Sequence, residues 1–206
     1  SSFDLIVDNV SRGKIDLQVP GEHNILNSLA AIGVAMELNI DLDIIKKGIK
    51  KYKGVKRRFE IKYKTNNNIM IVDDYAHHPT EVDATIKSAR AGWKLNKLIV
   101  IFQPHLYSRT KIFYKEFANI LSKADMVFLA DIFPSREKPV EGVNSNLIFN
   151  NMELDKKFLL SKKEIINKVS KVTSNGDMVI VMGAGDIKDL TDLIYKQIEM
   201  ENTFEG

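Results

Sequence analysis

The chain has 206 residues, 44% hydrophobic and 28% charged, the balance of an ordinary globular protein long enough to bury a core without disulfide or metal staples. Its formal charge of +3, from 30 Lys and Arg against 27 Asp and Glu, is spread along the chain and forms no basic stripe of the kind a nucleic-acid surface needs. Cysteine is absent, so there is neither a disulfide framework nor a thiolate metal site, and no apolar run approaches the roughly 20 residues that cross a bilayer; a cytoplasmic location is expected.

Residues 3–7 and 14–19 read as two strands joined by a polar turn over 9–13. No charged leader and no long apolar stretch precede the first strand, so a signal peptide is not expected and the sequence reads as part of a longer protein. Pro20-Gly21 breaks the second strand, and Ile25, Leu29, Ile32 and Met36 recur at helical spacing in a helix expected over 22–38. Asp41 is placed to cap a second helix to about residue 51, with Leu42, Ile45 and Ile49 on one face. Gly54 marks the expected junction between a first unit, 1–54, and a second, 55–206.

Past the junction, strands and helices alternate. A hairpin over 59–64 and 69–72 precedes a helix over 79–92, opened by Pro79 at the position where proline is favoured. A buried strand at 98–102, a helix at 109–123, a strand at 126–130 and a long loop to 141 follow. A short helix near Asn146, a strand at 157–160, a helix at 162–172, a strand at 178–182 and a helix at 187–199 complete the pattern. This alternation predicts an α/β fold, a Rossmann-like and mostly parallel sheet with helices on both faces. Ligands of such sheets bind beyond the carboxyl ends of the strands. The loops after Val72, Phe102, Ala130 and Met182 are therefore expected to share one edge and to bring their titratable residues together.

The richest of these loops is Asp73-Asp74-Tyr75-Ala76-His77-His78-Pro79, where two carboxylates and two imidazoles suit a ribose, a Mg²⁺-nucleotide or a transition metal. The alternative is that the aspartates cap the helix that follows and the histidines are ordinary loop residues. In Gln103-Pro104-His105-Leu106-Tyr107-Ser108-Arg109, His105 and Arg109 offer donors to an anion; the alternative is a helix start capped by Ser108. At Gly21-Glu22-His23-Asn24-Ile25-Leu26-Asn27, an imidazole face and amide pairs suit a purine, or are simply polar groups on an exposed first turn. Lys56-Arg57-Arg58 is a solvated cluster unless one guanidinium reaches a phosphate, and the amides of Gly183-Ala184-Gly185 form a weak anion cradle at best. The sequence holds no G-x-x-x-x-G-K-[ST] loop.

In this order, Gly21 to Asn27, Arg57-Arg58-Phe59-Glu60, Asp73 to Glu81 and Phe102-Gln103-Pro104-His105 resemble the Mur ligase family, and Asp131 to Glu137 and Gly183 to Ile187 extend the likeness over almost the whole chain. Among Mur ligases the strings are most similar to those of the members that join L-alanine to UDP-N-acetylmuramate. The resemblance implies that 1–54 end a central ATP-binding domain and that 55–206 form the C-terminal, amino-acid-binding domain. It implies that His23, Asn24 and Asn27 line an adenine pocket, that Arg58 meets ATP phosphates and that Asp74 meets the ribose. Tyr75, His77, His105 and Arg109 would face L-alanine and the muramoyl carboxylate. ATP and Mg²⁺ would be anchored mainly upstream, with no metal ligand and no assigned catalytic residue in this chain. Many relatives carry Arg where this chain has Leu106, and Arg136 is the expected substitute. Competing functions are a sister ligase that recycles a tripeptide, a metal-dependent phosphoesterase and a non-catalytic nucleotide-binding module.

Overall fold

The computed structural model describes residues 1–204. It opens with an antiparallel hairpin, β1 (Ser2–Val7) and β2 (Val10–Asp16), closed by Asp8 and Asn9 at φ 51° and 62°. Two left-handed residues in a two-residue turn match the twist of the flanking strands, and Asp and Asn tolerate that conformation best after glycine. The turn is thus shorter and earlier than the one expected over 9–13, and β2 begins at Val10 and ends at Asp16. Gly13 lies within β2 opposite Leu5, beside a register shift. Two helices follow, α1 (Glu22–Glu37) and α2 (Leu42–Lys51). The Asp41 carboxylate accepts from the backbone N–H of Asp43 at 2.9 Å and of Ile44 at 3.4 Å, the expected cap of α2. Leu5, Ile15, Ile32 and Ile45 make the small core of this unit.

A linker with left-handed residues at Gly54, Arg57 and Phe59 leads to the larger sheet. Its strands are β3 (Glu60–Lys64), β4 (Met70–Asp74), β5 (Leu98–Phe102), β6 (Met126–Leu129), β7 (Lys157–Leu159) and β8 (Met178–Met182). They lie in the order β3-β4-β8-β5-β6-β7, with β3 antiparallel to β4 and every other pairing parallel. Helices α3 (Pro79–Gly92), α4 (Tyr107–Leu121) and α5 (Asn146–Phe149) cover one face, and α6 (Lys162–Val172) and α7 (Leu190–Phe204) the other. A single 3₁₀ turn, Asp186–Asp189, precedes α7, so the last helix starts later than residue 187.

Burial on both faces explains why the central strands are continuous apolar runs rather than alternating ones. Leu98, Val100 and Phe102 of β5 pack with Val82, Ile86 and Phe117, while Ile99 and Ile101 pack with Val169, Ile187 and Ile194. Each such side chain contributes roughly 1.5–3 kcal/mol on leaving water. After β4 and β5 the chain crosses to the α3–α4 face, but after β8, which lies between them, it crosses to the opposite face. The sheet edge therefore opens into a crevice at the carboxyl ends of β4, β8 and β5. Among the described residues no helix is long and apolar enough to cross a membrane.

Candidate active site

Asp73 and Asp74 are the last rungs of β4, paired with Val181 and Met182 of β8, and not part of the loop expected after Val72. Asp74 is 5% exposed. Its Oδ2 accepts from the Phe59 N–H at 2.9 Å and the Thr85 hydroxyl at 3.1 Å, and its Oδ1 from the Ala76 N–H at 2.7 Å. Burial pushes this carboxyl above its ordinary 3.8 although the three hydrogen bonds act in the opposite direction. The carboxylate ties the linker, the strand end and α3 together. Asp73 is raised as well, by burial first and against the pull of Arg57, whose Nε donates to Oδ2 at 3.2 Å. The other oxygen of Asp73 is buried without a partner.

Neither aspartate caps α3. Glu81 does, its Oε2 accepting from the backbone N–H of His77 at 3.0 Å and of His78 at 3.2 Å. Burial pushes the Glu81 carboxyl upward, but these N–H groups, His77 and Arg58 together outweigh it and hold it below 4.5. Arg58, 56% exposed, lies 3.6 Å from the free Glu81 oxygen. Arg58, His23, Asp74, Thr80, Glu81 and Thr85 line a cavity of about 240 Å³. Asn24 and Asn27 line a different one, of about 340 Å³, with Leu17, Ile49 and Tyr52. Of the five residues expected at the nucleotide, three share one cavity and two belong to another.

On the other side of the α3 entrance the aromatic and imidazole rings form a row. Tyr75 meets His77 edge-on at 5.1 Å between centroids, His77 meets His105 at 5.6 Å, and His105 stacks on Phe133 at 5.8 Å. Protonation follows from the partners. A carbonyl can only accept, so the 2.8 Å contact between His77 Nδ1 and the Tyr75 carbonyl puts a proton on Nδ1, which also lies 3.4 Å from Glu81 Oε2. A guanidinium can only donate, so the 3.1 Å contact from Arg109 Nη1 makes His105 Nδ1 an acceptor and places that proton on Nε2. Burial, then the charges of Arg109 and His77, push His105 below 6.5 against the opposing effect of Glu137.

The loop after β5 is held by pairing with the loop after β6. Leu106 N–H donates to the Phe133 carbonyl at 3.0 Å and Phe133 N–H to the Pro104 carbonyl at 2.8 Å. Helix α4 starts at Tyr107, two residues earlier than expected, because Glu137 reaches across to accept from the Ser108 N–H at 3.0 Å and from the Ser108 hydroxyl. Leu106 precedes it at φ 73°, a strained conformation for a side chain of this kind. Tyr75, His77, His105 and Arg109 are thus brought into one cluster. Arg136 is exposed, and its guanidinium meets no hydrogen-bond or ion-pair partner among the described residues.

In the loop after β8 some of the backbone amides bond inside the protein. Gly183 N–H donates to the Asp74 carbonyl at 3.2 Å, and Ile187 N–H to Gln103 Oε1 at 3.2 Å, while Gln103 Nε2 donates to Asp186 at 3.1 Å. A Cβ on Gly185 would lie 2.5 Å from Gln103 Oε1 and from Phe133, so this close approach requires glycine. The residue that sequence reasoning passed over is Arg57. Its Nη2 donates to the Gly183 carbonyl at 2.7 Å and its guanidinium lies 4.7 Å from the Tyr75 ring centroid. Among the described residues no three of His, Cys, Asp and Glu converge to hold a metal ion.

Residues 57–185 match the family model described as Mur ligase, glutamate ligase domain. The chain belongs to the Mur ligase family. It is 40% identical over 206 aligned residues to the UDP-N-acetylmuramate–L-alanine ligase of Pelodictyon phaeoclathratiforme, covering 92% of this chain and 43% of that protein. It is 42% identical over 182 residues to the enzyme of the same name from Geobacter sp. strain M21, covering 86% of this chain and 39% of that one. Among solved structures, the UDP-N-acetylmuramate-alanine ligase of Thermotoga maritima superposes with a TM-score of 0.75 at 28% identity, over 94% of this chain and 42% of that one. The chain spans about two fifths of the length of these Mur ligases.

Proposed function

We propose that this chain is the amino-acid-facing part of an ATP-dependent ligase that joins L-alanine to the carboxylate of UDP-N-acetylmuramate, a step in cytoplasmic synthesis of peptidoglycan precursors. In this reading 1–54 complete a central ATP-binding domain and 55–206 are the C-terminal domain of the Mur ligase. The single observation that carries it is the cluster of Tyr75, His77, His105 and Arg109 at the sheet edge, in a chain 40% identical to a ligase named for L-alanine.

The chemistry proceeds in two steps. ATP gives its terminal phosphoryl group to the muramoyl carboxylate, forming an acyl phosphate and ADP. The alanine amine then attacks the acyl carbon, the C–N bond forms, the C–O bond to phosphate breaks and inorganic phosphate leaves. Arg58 sits in the cavity with Asp74 and His23, where its guanidinium neutralises phosphate charge. Arg109 spends one N–H on His105 and has others for the alanine carboxylate. With Nδ1 bound to the Tyr75 carbonyl, the neutral form of His77 has Nε2 to accept the proton that the attacking amine must lose, and the lowered pKa of His105 favours its uncharged form beside it. Mg²⁺ accompanies ATP in this class of reaction. In this reading ATP and Mg²⁺ are anchored mainly outside this chain.

The test uses the full-length protein that carries this chain, with ATP, UDP-N-acetylmuramate and either L-alanine or the peptidoglycan tripeptide. Phosphate release that depends on L-alanine is expected. Release with the tripeptide and none with L-alanine would transfer the protein to the recycling ligases. The phosphoesterase alternative lacks its metal cluster among the described residues.

A further inference from the structure

We infer that Arg57 is a positioning residue that couples the path of the linker to the geometry of Tyr75 and His77, and thereby sets the amino-acid side of the site. The inference rests on the ligase reading above and names a residue that reading does not use.

Arg57 joins three parts of the molecule. From the linker, its backbone N–H donates to Glu60 at 2.9 Å and its carbonyl accepts from the Tyr75 N–H at 2.8 Å. Its side chain, 21% exposed, reaches both strand ends that border the crevice. Nε donates to Asp73 of β4 at 3.2 Å and Nη2 to the carbonyl of Gly183 after β8 at 2.7 Å. The remaining face of the guanidinium lies 4.7 Å from the Tyr75 ring centroid. Tyr75 is therefore held twice by one residue, through its backbone and through its ring. The next contact in the row is the Tyr75–His77 edge at 5.1 Å, and Tyr75 also supplies the carbonyl that fixes the His77 tautomer. A displacement of Arg57 reaches the imidazole through both routes.

Two further observations separate this role from simple packing. Arg57 adopts φ 58° between left-handed Gly54 and Phe59, a conformation that a non-glycine residue holds where its surroundings over-determine it. Its neighbour Arg58 is 56% exposed and pairs with Glu81 in the nucleotide-side cavity. Consecutive arginines of one linker thus serve different sides of the site, Arg57 the row of rings and Arg58 the other cavity. A lysine cannot replace this fork, because one ammonium does not span a carboxylate, a carbonyl and a ring face in a fixed plane.

The experiment pairs Arg57→Met and Arg57→Lys in the full-length ligase with histidine ¹⁵N spectra of the 206-residue chain carrying the same changes. Arg57→Met is expected to raise the KM for L-alanine about tenfold or more while the KM for ATP stays within about twofold, with Arg57→Lys between Met and wild type. In the spectra, the His77 signature of a proton on Nδ1 is expected to give way to a tautomer average. Because Arg57→Met strands the buried Asp73 carboxylate, Arg57→Met with Asp73→Asn carries the same test should the single variant fail to fold. An unchanged L-alanine KM, or L-alanine and ATP KM values that rise together as general loosening would make them, overturns the inference. So does an unchanged His77 signature. A changed His77 signature in a protein that ignores L-alanine would sink the ligase reading and leave the role of Arg57 standing.

Discussion

At the scale of single residues, His105 shows how position shifts the titration of an ordinary side chain. Burial and the neighbouring Arg109 and His77 hold its pKa below 6.5, while in the unfolded chain it titrates near that value. As the pH falls from 7, the unfolded state therefore takes up its proton first, and native stability declines through the window just beneath 6.5. The contribution is fully present above that window and lost below it. A His105→Gln variant is expected to lose less stability than the wild type between pH 7.5 and 5.5, read as the shift in urea midpoint at the two pH values. Equal shifts would show that burial, Arg109 and His77 together do not lower the pKa of this imidazole. The residues of this cluster were legible because strand ends are where α/β sheets place titratable groups. Arg57 was not, because adjacent arginines look alike in sequence and nothing in the string announces a left-handed φ at one of them.

At the scale of elements, caps and turns decided where the sequence could be trusted. Asp41 lies immediately before an amphipathic run and caps α2 as its position implied. The α4 start was misplaced because its cap, Glu137, comes from a loop 29 residues away along the chain. The first hairpin differs for another reason: a polar segment running from Asn9 to Gly13 reads as the turn, yet the left-handed pair is Asp8 and Asn9, and Gly13 lies within β2. The unit formed by β1, β2, α1 and α2 rests on four buried apolar residues and leaves Leu26, Val34, Leu38 and Ile44 exposed, so its helices depend strongly on their ends. Asp41→Ala is expected to cost about 1 kcal/mol. Amide exchange should accelerate in α2 while β5 and β8 keep their protection; uniform acceleration would mean that the two units unfold together.

At the scale of the whole molecule, the order β3-β4-β8-β5-β6-β7 is what brings distant segments to one edge. Inserting β8 between β4 and β5 sets Gly183 beside Asp74 and Gln103, and the α3 entrance then separates the cavity lined by His23 and Arg58 from the row of rings. The strand and helix pattern made the fold class readable, since apolar runs at strand length alternate with helical periods. Strand order was not readable, because it depends on which crossovers pass to which face. The same arrangement bears on what the chain can do alone. The cavity proposed for the nucleotide offers the exposed guanidinium of Arg58, already paired with Glu81, while the amides of Gly183 and Ile187 donate internally. A triphosphate needs several charge-assisted contacts, each worth about 1.5–3 kcal/mol, so losing even two weakens binding by on the order of a hundredfold. The 206-residue chain is accordingly expected to release no phosphate from ATP with UDP-N-acetylmuramate and L-alanine, and to bind ATP at least about a hundredfold more weakly than the full-length ligase in calorimetric titration. Turnover by the chain, or equal affinity, would place the phosphate-binding groups within these residues and overturn the proposed division of labour between this chain and the rest of a longer ligase.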